Sequence, residues 1–188
     1  MLTEVERLSR LFQNILEMAR IDAGAIAIEP QWVHLSEIIE AARALVEHTL
    51  GSRRLEVRIE VDHLVQLDPR LTASALSHLL ENAAQYSPLD SPILVEARMS
   101  GHELEVAVRD QGPGVSVEDL PHLFERFYRG NHAKRRVSGT GMGLAIARGF
   151  VAAEQGRVWA ENCADGGARF IMVVPVKTRE VEPVAMIS

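Results

Sequence analysis

The sequence predicts an α/β fold: a two-layer sandwich with a mixed sheet on one side and helices on the other. Two observations lead there. Strand-like and helix-like stretches alternate without the strict β-α-β rhythm of a doubly wound sheet, and two pairs of strands are joined by turns short enough for antiparallel hairpins. No internal repeat interrupts this pattern.

In chain order, "LTEVERLSRLFQNILEMARIDAG" carries Val5, Leu8, Phe12, Ile15 and Ala19 at spacings of three and four, with Leu11, Leu16 and Met18 widening the stripe. This is an amphipathic helix stopped by Gly24. The stripe suits either the body of the domain or a second helix of a bundle. A short extended piece, Ala25 to Ile28, precedes Pro30. Ser36 is placed to cap a helix from Glu37 to about Leu50, ended by Gly51. In "RLEVRIEV", Leu55, Val57, Ile59 and Val61 alternate with charges, as in a half-buried strand. Asp68 followed by Pro69 opens a helix through about Ser87.

"PILVEARM" and "ELEVAVRD" read as strands joined at Ser100-Gly101-His102. The loop "DQGPG" follows, then a short helix around Val117 to Phe127 and a polar, basic stretch from Arg129 to Ser138. Gly139, Gly141 and Gly143 then lead a helix to about Gln155, stopped by Gly156. "RVWAEN" and "ARFIMVVP" form a last hairpin across Asp165-Gly166-Gly167, and the tail after Pro175 has no strong pattern.

A chain of 188 residues, 47% hydrophobic and 24% charged, holds one ordinary domain plus something small. Its formal charge of −6 argues against nonspecific binding to nucleic acid or an anionic membrane surface. The single cysteine, Cys163, excludes a disulfide within the chain and suits the cytoplasm. No apolar run approaches the roughly 18 to 20 residues that span a bilayer, and the charged N-terminus is unlike a signal peptide.

Three places carry chemistry. On the helix after Pro69, His78, Asn82, Gln85 and Tyr86 share one face, with Glu81 beside it and Leu79, Leu80 and Ala83 opposite. Such a stripe is either a solvated face or a polar site. Asp110 ends a strand ahead of Gly112 and Gly114; its carboxylate can accept from an exocyclic amine, such as the N6 of adenine, or can close a tight Asx turn. Gly141 and Gly143 open a helix whose unpaired N–H groups favour an anion. Neither the G-x-G-x-x-G dinucleotide fingerprint nor a G-x-x-x-x-G-K-[ST] loop is present.

Taken in order, these pieces resemble the ATP-binding domain of sensor histidine kinases, the Bergerat-type fold shared with gyrase, Hsp90 and MutL. "HLLENAAQYSP" resembles the N box, "DQGPG" the first glycine box, "LFERFYRG" the F box and "GTGMGLAIARG" the second glycine box. The N-terminal segment resembles the second helix of the dimerisation domain. "QW" with "LSEII", the "RGN" and the "DGGARF" hairpin most resemble the Kdp-type, potassium-responsive kinases.

The resemblance implies three parts: residues 1–24 as part of the dimerisation domain, 25–176 as the ATP-binding catalytic domain, and 177–188 as a tail. It implies ATP and Mg²⁺ as ligands, with Asn82 holding the metal and Asp110 the adenine amine. Glu81 would orient or deprotonate the nucleophile, and Arg129 would steady the transferring phosphoryl. His78, Gln85, Tyr86, Gly112, Gly114, Phe124, Phe127, Thr140, Gly141, Met142, Gly143 and Leu144 would complete the nucleotide site, with Phe124 and Phe127 anchoring a lid. Implied partners are an upstream histidine-bearing helix of the same kinase, a response regulator and a second copy in the full-length protein. That protein would be anchored to the inner membrane.

Many relatives carry asparagine at the position of His78 and lysine at that of Gln85. His78 either replaces part of the missing charge or packs as a neutral core residue; Lys134, Arg135 and Arg136 are further sources of charge. None of the seven histidines sits in an H-E-[IL]-[RK]-[TS]-P context, so the acceptor is expected on a helix missing from this chain. The rival readings are a serine kinase of the anti-sigma type and a nucleotide-sensing module without phosphotransfer.

Overall fold

The computed structural model describes residues 4–130 and 140–180. Its order is α1 (Glu4–Asp22), β1 (Gln31–Val33), α2 (Leu35–Leu50), β2 (Leu55–Ile59), β3 (Leu64–Leu67), α3 (Pro69–Tyr86), β4 (Ile93–Ser100), β5 (Glu103–Arg109), α4 (Gly143–Ala153), β6 (Arg157–Asn162), β7 (Ala168–Pro175) and β8 (Lys177–Arg179). A 3₁₀ turn at Leu120–His122 lies between β5 and α4.

The main sheet has strand order β2-β4-β5-β7-β6. Only β2 and β4 run parallel; β4 with β5, β5 with β7 and β6 with β7 are antiparallel, so the sheet is mixed, as expected. Helices α2, α3 and α4 pack side by side, and α3 and α4 also lie on the sheet. Between the layers, Leu76, Leu79, Leu80, Ile93, Val95, Val108 and Ile146 are fully buried. That concentration of apolar area removed from water holds the two layers together.

Four sequence expectations need correction. Helix α2 begins at Leu35 with His34 at the cap position, not with Ser36 as cap, because Leu35 is buried in the core and is drawn into the first turn. Strand β2 is an edge strand whose Val57 and Ile59 are 40% and 36% exposed; only Leu55 and Val61 of its alternating set reach the core. No α-helix forms from Val117 to Phe127. There Ser116 Oγ accepts from the Asp119 N–H, and Asp119 Oδ1 accepts from the Tyr128 hydroxyl at 2.7 Å, folding the chain into turns around Pro121. Finally, residues 177–179 form β8, which pairs with β3, and β3 pairs with β1 in a second, three-stranded antiparallel sheet.

Helix α3 starts where Asp68-Pro69 predicts. The Asp68 carboxylate accepts from the N–H groups of Arg70 and Leu71. A buried network fixes this end: Glu154, just beyond α4, accepts from the Asp68 N–H and from the Thr72 hydroxyl, both at 2.7 Å. Burial pushes the Glu154 carboxyl up, with the two hydrogen bonds opposing it. Burial would also raise Asp68, but its hydrogen bonds from Arg70, Glu29 and Leu71 together bring it below the ordinary carboxylate range.

Candidate functional site

Because Leu76, Leu79, Leu80 and Ala83 occupy the buried side of α3, the stripe His78, Glu81, Asn82, Gln85 and Tyr86 is turned away from the core. All five are half-buried. The Asn82 amide makes no hydrogen bond among the described residues, so its oxygen can still take a cation. Burial raises the Tyr86 phenol, and the Arg129 charge opposes that, which places Arg129 electrostatically near this end of the stripe.

Asp110 follows β5 and is 2% exposed. Its N–H donates to the Ala168 carbonyl, and its Oδ1 accepts from the N–H groups of Gly112 at 2.7 Å and Ala168 at 3.2 Å. Among the described residues, nothing donates to the other carboxylate oxygen. Burial pushes this carboxyl above its ordinary value, and the two N–H donors and the Arg109 charge offset part of the rise. The approach depends on Gly167, whose φ is +81°: a Cβ there would stand 2.0 Å from the Asp110 carbonyl oxygen. The loop beyond packs on the end of α3, where a Cβ on Gly112 would meet the Tyr86 carbonyl oxygen at 2.8 Å.

The glycine-led helix brings the third piece to the first. A Cβ on Gly143 would lie 3.3 Å from His78 Nδ1, so the imidazole of α3 abuts the first residue of α4. His78 Nδ1 is buried without a hydrogen-bond partner, and its side chain is 10% exposed. No side chain caps α4 at Met142, whose own N–H donates to Thr140 Oγ1 at 3.3 Å. The uncapped helix start is suited to an anion such as a phosphate, while His78 Nδ1 itself faces Glu81 Oε2 at 3.9 Å. Met142 is buried and Leu144 packs on the core, which fixes the direction of that helix start.

The aromatic pair divides. Phe124 is buried, whereas Phe127 is 68% exposed with φ +60°, and it meets the glycines through its backbone: its N–H donates to the Gly141 carbonyl at 2.9 Å. The lid that Phe127 is expected to anchor lies outside the described residues. Gly114 lies at the far end of the Asp110 loop. Lys134, Arg135 and Arg136, proposed as extra lid charges, lie outside the described residues, as does Gly139.

Sequence reasoning missed the contribution of α1. Arg10 pairs with Glu81, Asn14 Nδ2 donates to Thr140 Oγ1 at 3.3 Å, and Glu17 Oε2 lies 3.5 Å from His78 Nε2. Arg126 also donates to both carboxylate oxygens of Asp22. These polar positions alternate with the apolar stripe, but nothing local in the sequence signals their distant partners.

The set fits a magnesium-bound nucleotide. Among the described residues no three His, Cys, Asp or Glu side chains converge on a metal position, so a hard cation here would rely on the Asn82 amide oxygen, water and ligand oxygens, as Mg²⁺ tolerates. No described helix is long and apolar enough to cross a membrane.

The family described as "Histidine kinase-, DNA gyrase B-, and HSP90-like ATPase" matches residues 67–178. Similar proteins include the Sensor protein KdpD of Escherichia coli, 35% identical over 90% of this chain and 19% of its own length. The signal transduction histidine-protein kinase AfsQ2 of Streptomyces coelicolor is 34% identical over 92% of this chain and 31% of its own length. The chain thus spans only a fifth to a third of these relatives. Among solved structures, full-length ShkA in complex with AMPPNP has the same fold, with a TM-score of 0.80 at 23% identity, covering 93% of this chain and 37% of that one. The mycobacterial sensor histidine kinase MprB gives 0.68 at 25% identity, over 81% of this chain and all of that one.

Proposed function

The chain belongs to the histidine kinase-, DNA gyrase B- and HSP90-like ATPase family, and from that premise we propose that it is the ATP-binding catalytic domain of a two-component sensor histidine kinase. Its reaction is transfer of the γ-phosphoryl of ATP to a histidine on a dimerisation helix. The observation that carries this reading is Asp110: a buried carboxylate with one oxygen committed to two backbone N–H groups and the other left to accept an amine.

In this reading Asp110 takes the N6 amine of adenine, while Gly112, Gly114 and Tyr86 shape the base pocket. His78, Gln85 and the start of α4 from Thr140 to Leu144 hold the phosphates, helped by the unpaired donors of that helix. Asn82 would hold Mg²⁺ through its amide oxygen, and the metal would supply positive charge against the phosphates. Glu81 accepts the proton of the acceptor imidazole as the new N–P bond forms and the bond from phosphorus to the leaving oxygen of ADP breaks. Arg129 faces the charge that spreads over the transferring group. Residues 1–24 form part of the dimerisation domain, 25–176 the catalytic domain together with β8 (Lys177–Arg179), and the tail begins after β8. The full-length protein works as a homodimer anchored to the inner membrane and passes the phosphoryl to a response regulator; the Kdp-type resemblance suggests potassium as the stimulus.

The test is to supply the histidine-bearing helix of a similar kinase with radiolabelled ATP. Acid-labile label on that helix is expected. Acid-stable label would indicate a serine kinase, and nucleotide binding with no label a sensing module; either result overturns the phosphohistidine reading.

A further inference from the structure

We infer that Asn162 is a positioning residue for the nucleobase loop, holding the end of that loop opposite Asp110; the inference rests on the adenine-binding reading of Asp110. Asn162 is the last residue of β6. Its Oδ1 accepts from the Val115 N–H at 2.8 Å, and its Nδ2 donates to the Val115 carbonyl at 2.7 Å. The side-chain amide thus pairs with both backbone groups of one residue, as a neighbouring strand would. The contact also dictates the residue before it: Gly114 has φ +76°, and a Cβ there would stand 2.9 Å from Asn162 Oδ1.

The same hairpin grips the other end of the loop. Asn162 is the register partner of Ala168, and Ala168 exchanges hydrogen bonds with Asp110 through both its carbonyl and its N–H. Residues 110 and 115 are therefore tied to adjacent positions of a single β6–β7 hairpin. Between the ties, the Gln111 N–H donates to Ser87 Oγ at 3.3 Å, at the end of α3. With both ends fixed, Asp110, Gly112 and the end of α3 keep one arrangement, and binding need not order the loop. Without Asn162 the backbone ties of the loop remain only at its start, at Asp110 and Gln111, and a nucleoside must restrict the rest on arrival. The phosphate end of the site, built from α3 and the start of α4, does not touch this contact.

The test compares Mg-ADP with inorganic tripolyphosphate by calorimetry on wild type and Asn162→Ala, with circular dichroism melts alongside. Loss of the two hydrogen bonds should weaken Mg-ADP about tenfold, while tripolyphosphate affinity stays within about twofold of wild type, below the effect of one net hydrogen bond. Unchanged ADP affinity overturns the inference and leaves the adenine reading standing. An equal loss of both ligands in a folded variant also overturns it, because it marks a merely structural role. Wild type that binds tripolyphosphate but not ADP overturns the inference together with the adenine reading. If Asn162→Ala is unfolded at the assay temperature, Asn162→Asp decides: it keeps an acceptor for the Val115 N–H but loses the donor to the Val115 carbonyl, and should still weaken Mg-ADP while sparing tripolyphosphate; unchanged ADP affinity, or an equal loss of both ligands, overturns the inference.

Discussion

Arg10 on α1 pairs with Glu81 on α3 across 71 positions of sequence, so the N-terminal helix holds the carboxylate proposed to serve as the base. Asn14 and Glu17 reach Thr140 and His78 from the same helix. Beneath this polar edge, Leu11, Met18 and Ile21 pack on the core, so α1 lies against the domain at the very residues that would meet an incoming acceptor.

In the proposed reaction, phosphoryl transfer parts Arg10 from Glu81. Both side chains are partly exposed, so the pair is worth no more than about 1 kcal/mol. Arg10→Ala should speed transfer to a supplied acceptor helix by no more than about fivefold, and Glu81→Gln should abolish it. A slower Arg10→Ala enzyme in a radiolabel time course would contradict this role.

The opposite side of α1 is apolar and uncovered: Val5, Leu8 and Phe12 are 77%, 67% and 62% exposed, and Ile15 is 49% exposed. A contiguous face of this kind drives association. Leu8→Glu with Phe12→Glu should lower concentration-dependent self-association in sedimentation velocity, while changing unfolding free energy by less than about 0.5 kcal/mol, as exposed substitutions do. A large loss of stability would mean that this face packs inside the domain.

Gly167→Ala should destabilise the fold by about 1–3 kcal/mol from backbone strain alone, and more from the clash with the Asp110 carbonyl. Denaturant unfolding measures the first effect and nucleotide titration the accompanying loss of ADP affinity. Full affinity in a folded variant would show that Asp110 does not depend on this contact.

Burial holds the Asp110 carboxyl above its ordinary value, and only the ionised form accepts an amine on its outer oxygen while Oδ1 is occupied. Affinity for ADP should therefore fall as pH drops through that raised value, and be complete above it. Tripolyphosphate, which does not meet Asp110, should not share this limb of the profile. Identical acid profiles for the two ligands would argue against Asp110 as the adenine acceptor.

Much of this was legible in the sequence where the signal is local. Asp68-Pro69 marks the start of α3, and Ser100-Gly101-His102 and Asp165-Gly166-Gly167 mark the two hairpins; the motifs in their order resemble the family whose model matches residues 67–178. What stayed hidden is long-range. Strands β1, β3 and β8 have three or four residues each, too few for a period, and exist only because positions near 32, 66 and 178 pair. The predicted helix near Val117 fails because Asp119 binds Tyr128, nine residues on. Asn162, Glu154 and Arg10 act on partners 47, 86 and 71 positions away, and no local pattern announces them.

The central claim is that Asp110 recognises an adenine nucleotide whose phosphates lie between α3 and the start of α4. Calorimetry with Mg-ATP on wild type and Asp110→Ala tests it most directly. The account predicts saturable heat for wild type and loss of affinity by roughly ten- to a hundredfold in the variant, the effect of one hydrogen bond to a charged group. Equal affinity in the two proteins, or no binding by wild type, would contradict it.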